Sequence, residues 1–113
     1  MRVKGGTAAK QKHKKILAQT KGMRDMRSRS IKRAKEAILK SGMNAYIGRK
    51  QKKREFRALW NIRIGASAKK YGLSYSKFIA ALKTNKIEMD RKVLSQIAAE
   101  KPEVFEKIVE QIR

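Results

Sequence analysis

Residues 1–60 carry 20 lysines and arginines against three acids, a net of +17, while residues 61–113 carry 11 against six, a net of +5. No other feature constrains the fold as much. Like charges at this density repel one another and oppose a compact state unless a polyanion neutralises them. Nucleic acid fits that need best, because its phosphates are closely spaced and release counterions when Lys and Arg replace them. A membrane surface also attracts cations, but stable attachment takes an amphipathic helix or a lipid chain as well. The first half therefore reads as an electrostatic arm, and the second half as an ordinary small domain.

Helix is favoured throughout, since β-branched runs are few and Pro102 is the only proline in 113 residues. Residues 8–20 predict a short basic helix ending near Gly22. Ser28 or Ser30 then predicts the cap of a second helix reaching about Lys40, with Gly42 as its stop. Its apolar stripe of Ile31, Ala34 and Ile38 is thin, so this region is expected to order on its partner. A longer helix is expected over about residues 44–71. There Phe56, Leu59, Trp60, Ile64, Ser67 and Tyr71 recur at three and four and define a core face, with Trp60 as an anchor. Gly65 interrupts that helix at about 1 kcal/mol against alanine, which points to a close helix contact.

Three short helices follow. Ser74 caps one carrying Tyr75, Phe78, Ile79 and Leu82, and Asp90 caps one with Val93, Leu94, Ile97 and Ala98 inward. Pro102 suits a first helical turn, ahead of Val104, Phe105, Ile108, Val109 and Ile112. The expected fold is all-α: a long basic helical N-terminal arm, residues 1–57, followed by a compact C-terminal helical domain, residues 58–113. The long helix bridges the two. A domain of roughly 55 residues is near the lower limit for a self-sufficient core.

Chemistry-bearing constellations are sparse. Without cysteine there is no disulfide framework, thiolate zinc site or Cys nucleophile. His13 is the only histidine, so His-based metal binding and triad catalysis lack their parts. Glu103, Glu106 and Glu110 follow ordinary helix-surface spacing, and no glycine-rich phosphate cradle is present. The chain is expected not to be an enzyme and to use no cofactor or metal. The basic N-terminus leads into no apolar signal region, and no run approaches the roughly 20 apolar residues of a membrane span. A soluble intracellular protein is the expectation.

The basic clusters carry the functional signal. Phosphate contacts are assigned to Arg2, Lys4, Lys10, Lys12, His13, Lys14, Lys15, Lys21, Arg24, Arg27, Arg29, Lys32 and Arg33, and then to Arg49, Lys50, Lys52, Lys53, Arg54 and Arg57. Both cation types neutralise phosphate, and Arg adds bidentate geometry and stacking. Only Asp25, Glu36 and Glu55 interrupt, whereas a merely solvated helix surface mixes both signs. Tyr46 and Phe56 beside the third cluster suit base or ribose stacking. In the domain, Lys69, Lys70, Lys77, Arg91 and Lys92 are expected to fix orientation. Charge alone leaves three readings open: RNA binding, compaction of duplex DNA, and a helical protein–protein adaptor in which the arm is dispensable.

One segment, Lys52-Lys53-Arg54-Glu55-Phe56-Arg57-Ala58-Leu59-Trp60-Asn61-Ile62-Arg63-Ile64, closely resembles the central motif of the bacterial-type large-subunit ribosomal protein L20 family. Three further pieces agree in order and spacing. They are Arg2-Val3-Lys4 leading to His13-Lys14-Lys15-Ile16-Leu17, then Gly72-Leu73-Ser74-Tyr75-Ser76-Lys77-Phe78-Ile79, then Asp90-Arg91-Lys92-Val93-Leu94 with Ile97-Ala98. The likeness covers almost the whole chain. It departs at Asn61, where a branched aliphatic is usual, at Gly65 and Gly5, and over residues 23–30, which lack the usual aromatics. The resemblance implies an arm buried in large-subunit rRNA, a helical domain at the RNA surface, and a role in early subunit assembly. It also implies neighbouring large-subunit proteins as partners, no homo-oligomer, and a place in a cytoplasmic or organellar ribosome. Some members repress their own translation through the C-terminal domain.

Overall fold

The computed structural model describes residues 2 and 4–113. Val3 of the Arg2-Val3-Lys4 motif lies outside them. Among the described residues the chain is all helix and loop: α1 Gly6–Gln19, a 3₁₀ turn Asp25–Arg27, α2 Ile31–Lys70, α3 Tyr75–Thr84, α4 Arg91–Glu100 and α5 Pro102–Gln111. Contacts divide it into two compact units, Met1–Lys50 and Gln51–Arg113.

In the first unit α1 starts after Gly5, which takes a left-handed φ of 69°. It stops where the Thr20 hydroxyl and amide both donate to the Leu17 carbonyl, 3.2 Å away in each case, and Gly22 turns the chain at φ 88°. No residue of α1 is buried. Thr20 and Ala34 are the buried points of this unit, with Ile16, Leu17, Met23, Ile31 and Ile38 half-buried. The ladder of α2 begins at the Ser30 carbonyl, which accepts from the Ala34 amide at 2.8 Å.

The expected stop at Gly42 is absent, and one helix of 40 residues replaces the two expected. Glycine ends a helix by adopting a left-handed φ, and Gly42 and Gly48 keep the helical sign. Each costs about 1 kcal/mol against alanine, but breaking the helix there would orphan the backbone groups of two new ends. The helix ends instead at Gly72. With φ 77°, its amide reaches the Lys69 carbonyl at 3.1 Å, and the Leu73 amide reaches that of Ala68 at 3.1 Å, forming a Schellman motif.

In the second unit the Ser74 hydroxyl accepts from the Lys77 amide at 3.3 Å and starts α3. Asp90 occupies the N-cap of α4 without a side-chain bond, and Pro102 opens α5. The core joins Ile64 and Ala68 of α2, Phe78 and Leu82 of α3, Leu94 of α4, and Phe105, Ile108, Val109 and Ile112 around α5. Phe78 and Phe105 stack with centroids 5.1 Å apart, and Tyr71 tilts against Phe105 at 6.3 Å. Four positions expected to face inward are exposed instead. Phe56 and Leu59 are 45% and 38% exposed, and Val93 and Val104 are 43% and 41% exposed. Trp60 is half-buried and sits against Phe56 at 6.4 Å, outside the core cluster, so it is no core anchor. α4 turns Leu94, Ile97 and Ala98 inward and α5 turns Phe105, Ile108, Val109 and Ile112 inward. Val93 and Val104 fall at the outer edges of those stripes and keep one side to solvent.

Gly65 does lie at a helix contact, yet a Cβ there would meet Tyr75 Cβ at 3.6 Å, an ordinary packing distance. The α3 terminus repeats the Schellman pattern, with the Ile87 amide on the Leu82 carbonyl at 2.9 Å, but its left-handed position holds Lys86 at φ 54°. Replacing Lys86→Gly should raise stability by up to about 1 kcal/mol, the left-handed cost of about 1–2 kcal/mol less the entropy glycine adds to the unfolded chain. Thermal unfolding followed by circular dichroism checks this, and a lower midpoint would contradict it.

Candidate nucleic-acid interface

The interface is built on α1, the turn after it, and α2. Ala8, Ala9, Gln11 and a row of lysines are all good helix formers, and they raise Lys10, Lys12, Lys14 and Lys15 on α1 with His13 among them. The segment from Lys21 to Arg29 bends through the 3₁₀ turn, where Asp25 takes φ 57° and its carbonyl accepts from the Ser28 hydroxyl at 3.4 Å. This bend presents Arg24, Arg27 and Arg29. Between the bend and α2 lies an open cleft of about 470 Å³, with Met23, Arg27, Arg33, Glu36 and Lys40 among its lining residues.

Each of the 19 residues assigned to phosphate is solvent-exposed, from Arg2 to Arg57. Two more cations on α2, Lys35 and Lys40, are exposed between them. They fell between the dense clusters, though their spacing from Lys32 and Arg33 was a usable signal. Among the described residues the one ion pair is Arg33 with Glu36, 3.1 Å apart and exposed on both sides, so it contributes little. Gln51 donates to Glu55 at 3.1 Å. The remaining arm cations have no carboxylate partner among the described residues.

Exposure is the second half of the geometry. From Leu39 to Leu59 every residue of α2 is exposed, so no residue of that stretch is buried by another described element. Such a helix has only propensity and i,i+4 pairs to hold it, and isolated helices are marginal in water. Tyr46 is 54% exposed with the Lys50 ammonium 4.9 Å from its ring centroid, and Phe56 also faces solvent, so both aromatics are open to stacking.

In the second unit Lys69 and Lys70 lie in the last turn of α2, where cations complement the helix dipole, and Lys77 and Lys92 are exposed. Arg91 differs. It is half-buried, and its Nε donates to the Tyr75 hydroxyl at 3.0 Å, which in turn donates to Asn61 Oδ1 at 2.7 Å. This relay ties α4 to α3 and α2, so Arg91 works first as a strut. Asn61, the departure noted in the central motif, is its acceptor. No group of three His, Asp or Glu that could hold a metal occurs among the described residues, and no described helix is long and apolar enough to cross a membrane.

The described residues thus form helices and loops, with uncompensated cations along a bare stretch of α2. The family described as ribosomal protein L20 matches residues 2–108. Large ribosomal subunit protein bL20 of Lawsonia intracellularis is 51% identical over 110 residues, covering 97% of this chain and 94% of that protein. Its counterpart in Legionella pneumophila strain Corby is 51% identical over 112 residues, covering 99% and 94%. The chain belongs to the ribosomal protein L20 family.

Removing the Tyr75 hydroxyl breaks both bonds of the relay. Tyr75→Phe should cost about 1–2 kcal/mol, since each net hydrogen bond contributes about 0.5–1.5 kcal/mol and Arg91 is left half-buried without its acceptor. Denaturant unfolding reads the loss, and an unchanged midpoint would show the relay to be idle.

Proposed function

We propose that the chain is a structural constituent of the large ribosomal subunit that binds large-subunit rRNA directly and supports early subunit assembly. The observation that carries the reading is the bare, cationic stretch of α2, from Leu39 to Leu59, in a chain of this family. The relatives are named as large-subunit proteins, and the surface chemistry here agrees with that role.

The mechanism has two parts. Residues 1–57 act as the RNA-binding arm, whose Lys and Arg replace counterions on phosphate, so affinity comes chiefly from ion release. Binding also supplies the anions that α2 lacks, and ordering of the arm is coupled to ordering of the RNA around it. Residues 58–113 act as the helical domain that sets orientation through Lys69, Lys70, Lys77 and Lys92, with Arg91 steadied by Tyr75. The role is structural rather than catalytic, uses no cofactor, and places the protein in a ribosome beside other large-subunit proteins.

Salt-titrated binding to large-subunit rRNA, with duplex DNA as competitor, tests this. Replacing Arg49, Lys50, Lys52 and Lys53 by Ala should weaken binding and flatten the slope of log affinity against log salt by about one for each residue in phosphate contact. Helicity of the second unit should not change. Equal affinity for DNA would favour compaction of duplex DNA instead, and arm-independent binding would favour the adaptor reading.

A further inference from the structure

Four large apolar side chains on the bare stretch of α2 are exposed. Leu39 is 75% exposed, Met43 56%, Tyr46 54% and Ile47 51%. At 3.6 residues per turn they fall within about 100° of arc and form one continuous stripe. Its setting is cationic. On the same helical projection Lys32 and Lys50 extend the midline at either end, Lys35 and Arg49 lie along one rim, and Lys40 lies along the other. The nearest acid, Glu36, is paired with Arg33 at 3.1 Å. Glu36 projects onto this same face one turn before Leu39, its charge offset by Arg33, and the rest of the border is cationic. An apolar centre with a mainly cationic border asks for a surface with apolar groups in the middle and anions at its edges.

We infer that this stripe packs into the minor groove of an A-form RNA duplex. The inference rests on the rRNA-binding reading above and names the part of RNA that this face takes. An A-form minor groove is wide and shallow and displays riboses, while its major groove is too deep and narrow for a helix face. Ribose C–H faces receive Leu39, Met43 and Ile47, and the phosphate strands on either side meet the rim cations. Tyr46, with Lys50 at 4.9 Å from its ring, adds a phenol hydroxyl able to donate to or accept from a ribose 2′-hydroxyl. A B-form DNA minor groove is narrower and lacks that hydroxyl, so the stripe favours RNA over DNA where the cations alone favour neither.

The test uses the full chain and the triple variant L39Q/M43Q/I47Q, which keeps charge and helix propensity at three exposed positions. The triple alanine variant at the same positions is a second, helix-preserving control. The probes are an RNA hairpin duplex, a DNA duplex of the same sequence and a single RNA strand. Both variants should lose on the order of tenfold in affinity for the RNA duplex, because buried apolar area is lost. The salt slope should stay unchanged, since no counterion contact is removed. Affinity for the DNA duplex and for the single strand should also hold. Unchanged affinity for the RNA duplex, or an equal loss on all three probes, would overturn the inference. So would variants that bind the duplex normally but no longer join subunit particles, which would assign the stripe to a protein neighbour. If the unaltered chain shows no salt-dependent RNA binding, the functional reading fails first and this inference falls with it.

Discussion

Repulsion between like charges along α2 is the constraint on which the rest depends. From Lys32 to Arg57 the helix carries lysines and arginines with only Glu36 and Glu55 to offset them, and only one of those two acids makes an ion pair. Removing any one cation relieves little, because the energy is spread along the helix and screened by salt. On the proposed reading, phosphate completes such a surface. The apolar material is arranged accordingly: among the described residues the first unit buries only Thr20 and Ala34 fully, and the hydrophobic cluster lies in the second.

That second unit is small, and it economises in recognisable ways. Two helix ends close with the same Schellman motif, one at Gly72 and one at Lys86, so the carbonyls that α2 and α3 leave open are satisfied within a residue or two. Phe105 is the centre of the aromatic contacts, touching Phe78 and Tyr71, while Ile64 and Ala68 bring the end of α2 into the same core. The Asn61–Tyr75–Arg91 relay adds direction to this packing, because a bond geometry specifies one arrangement of three helices where apolar contact alone tolerates several.

Much of this was legible in the residues. Ser74 and Pro102 marked their helix starts because each acts locally, through a side-chain acceptor or a fixed φ. The exposure of the arm cations followed from charge alone. What could not be read locally was decided by neighbours. Gly42 resembles a stop in isolation, but whether it ends a helix depends on a backbone choice that the following residues share. Phe56 and Leu59 continue the apolar periodicity of Ile64, yet burial needs a covering partner, and the core cluster takes up α2 only from Ile64 onward. Tyr75 and Arg91 sit 16 residues apart, and no spacing rule pairs a tyrosine with an arginine at that distance.

The bare middle of α2 has a consequence for the life of the molecule outside its complex. A helix held by nothing else opens locally far more often than a packed one, and each opening offers a backbone to proteases. Arg49, Lys50, Lys52, Lys53 and Arg54 put a dense row of basic cleavage positions in that window. A copy outside any complex is thus easiest to cut in this window. On the proposed reading, the stretch that meets RNA is also the stretch most open to cleavage when RNA is absent.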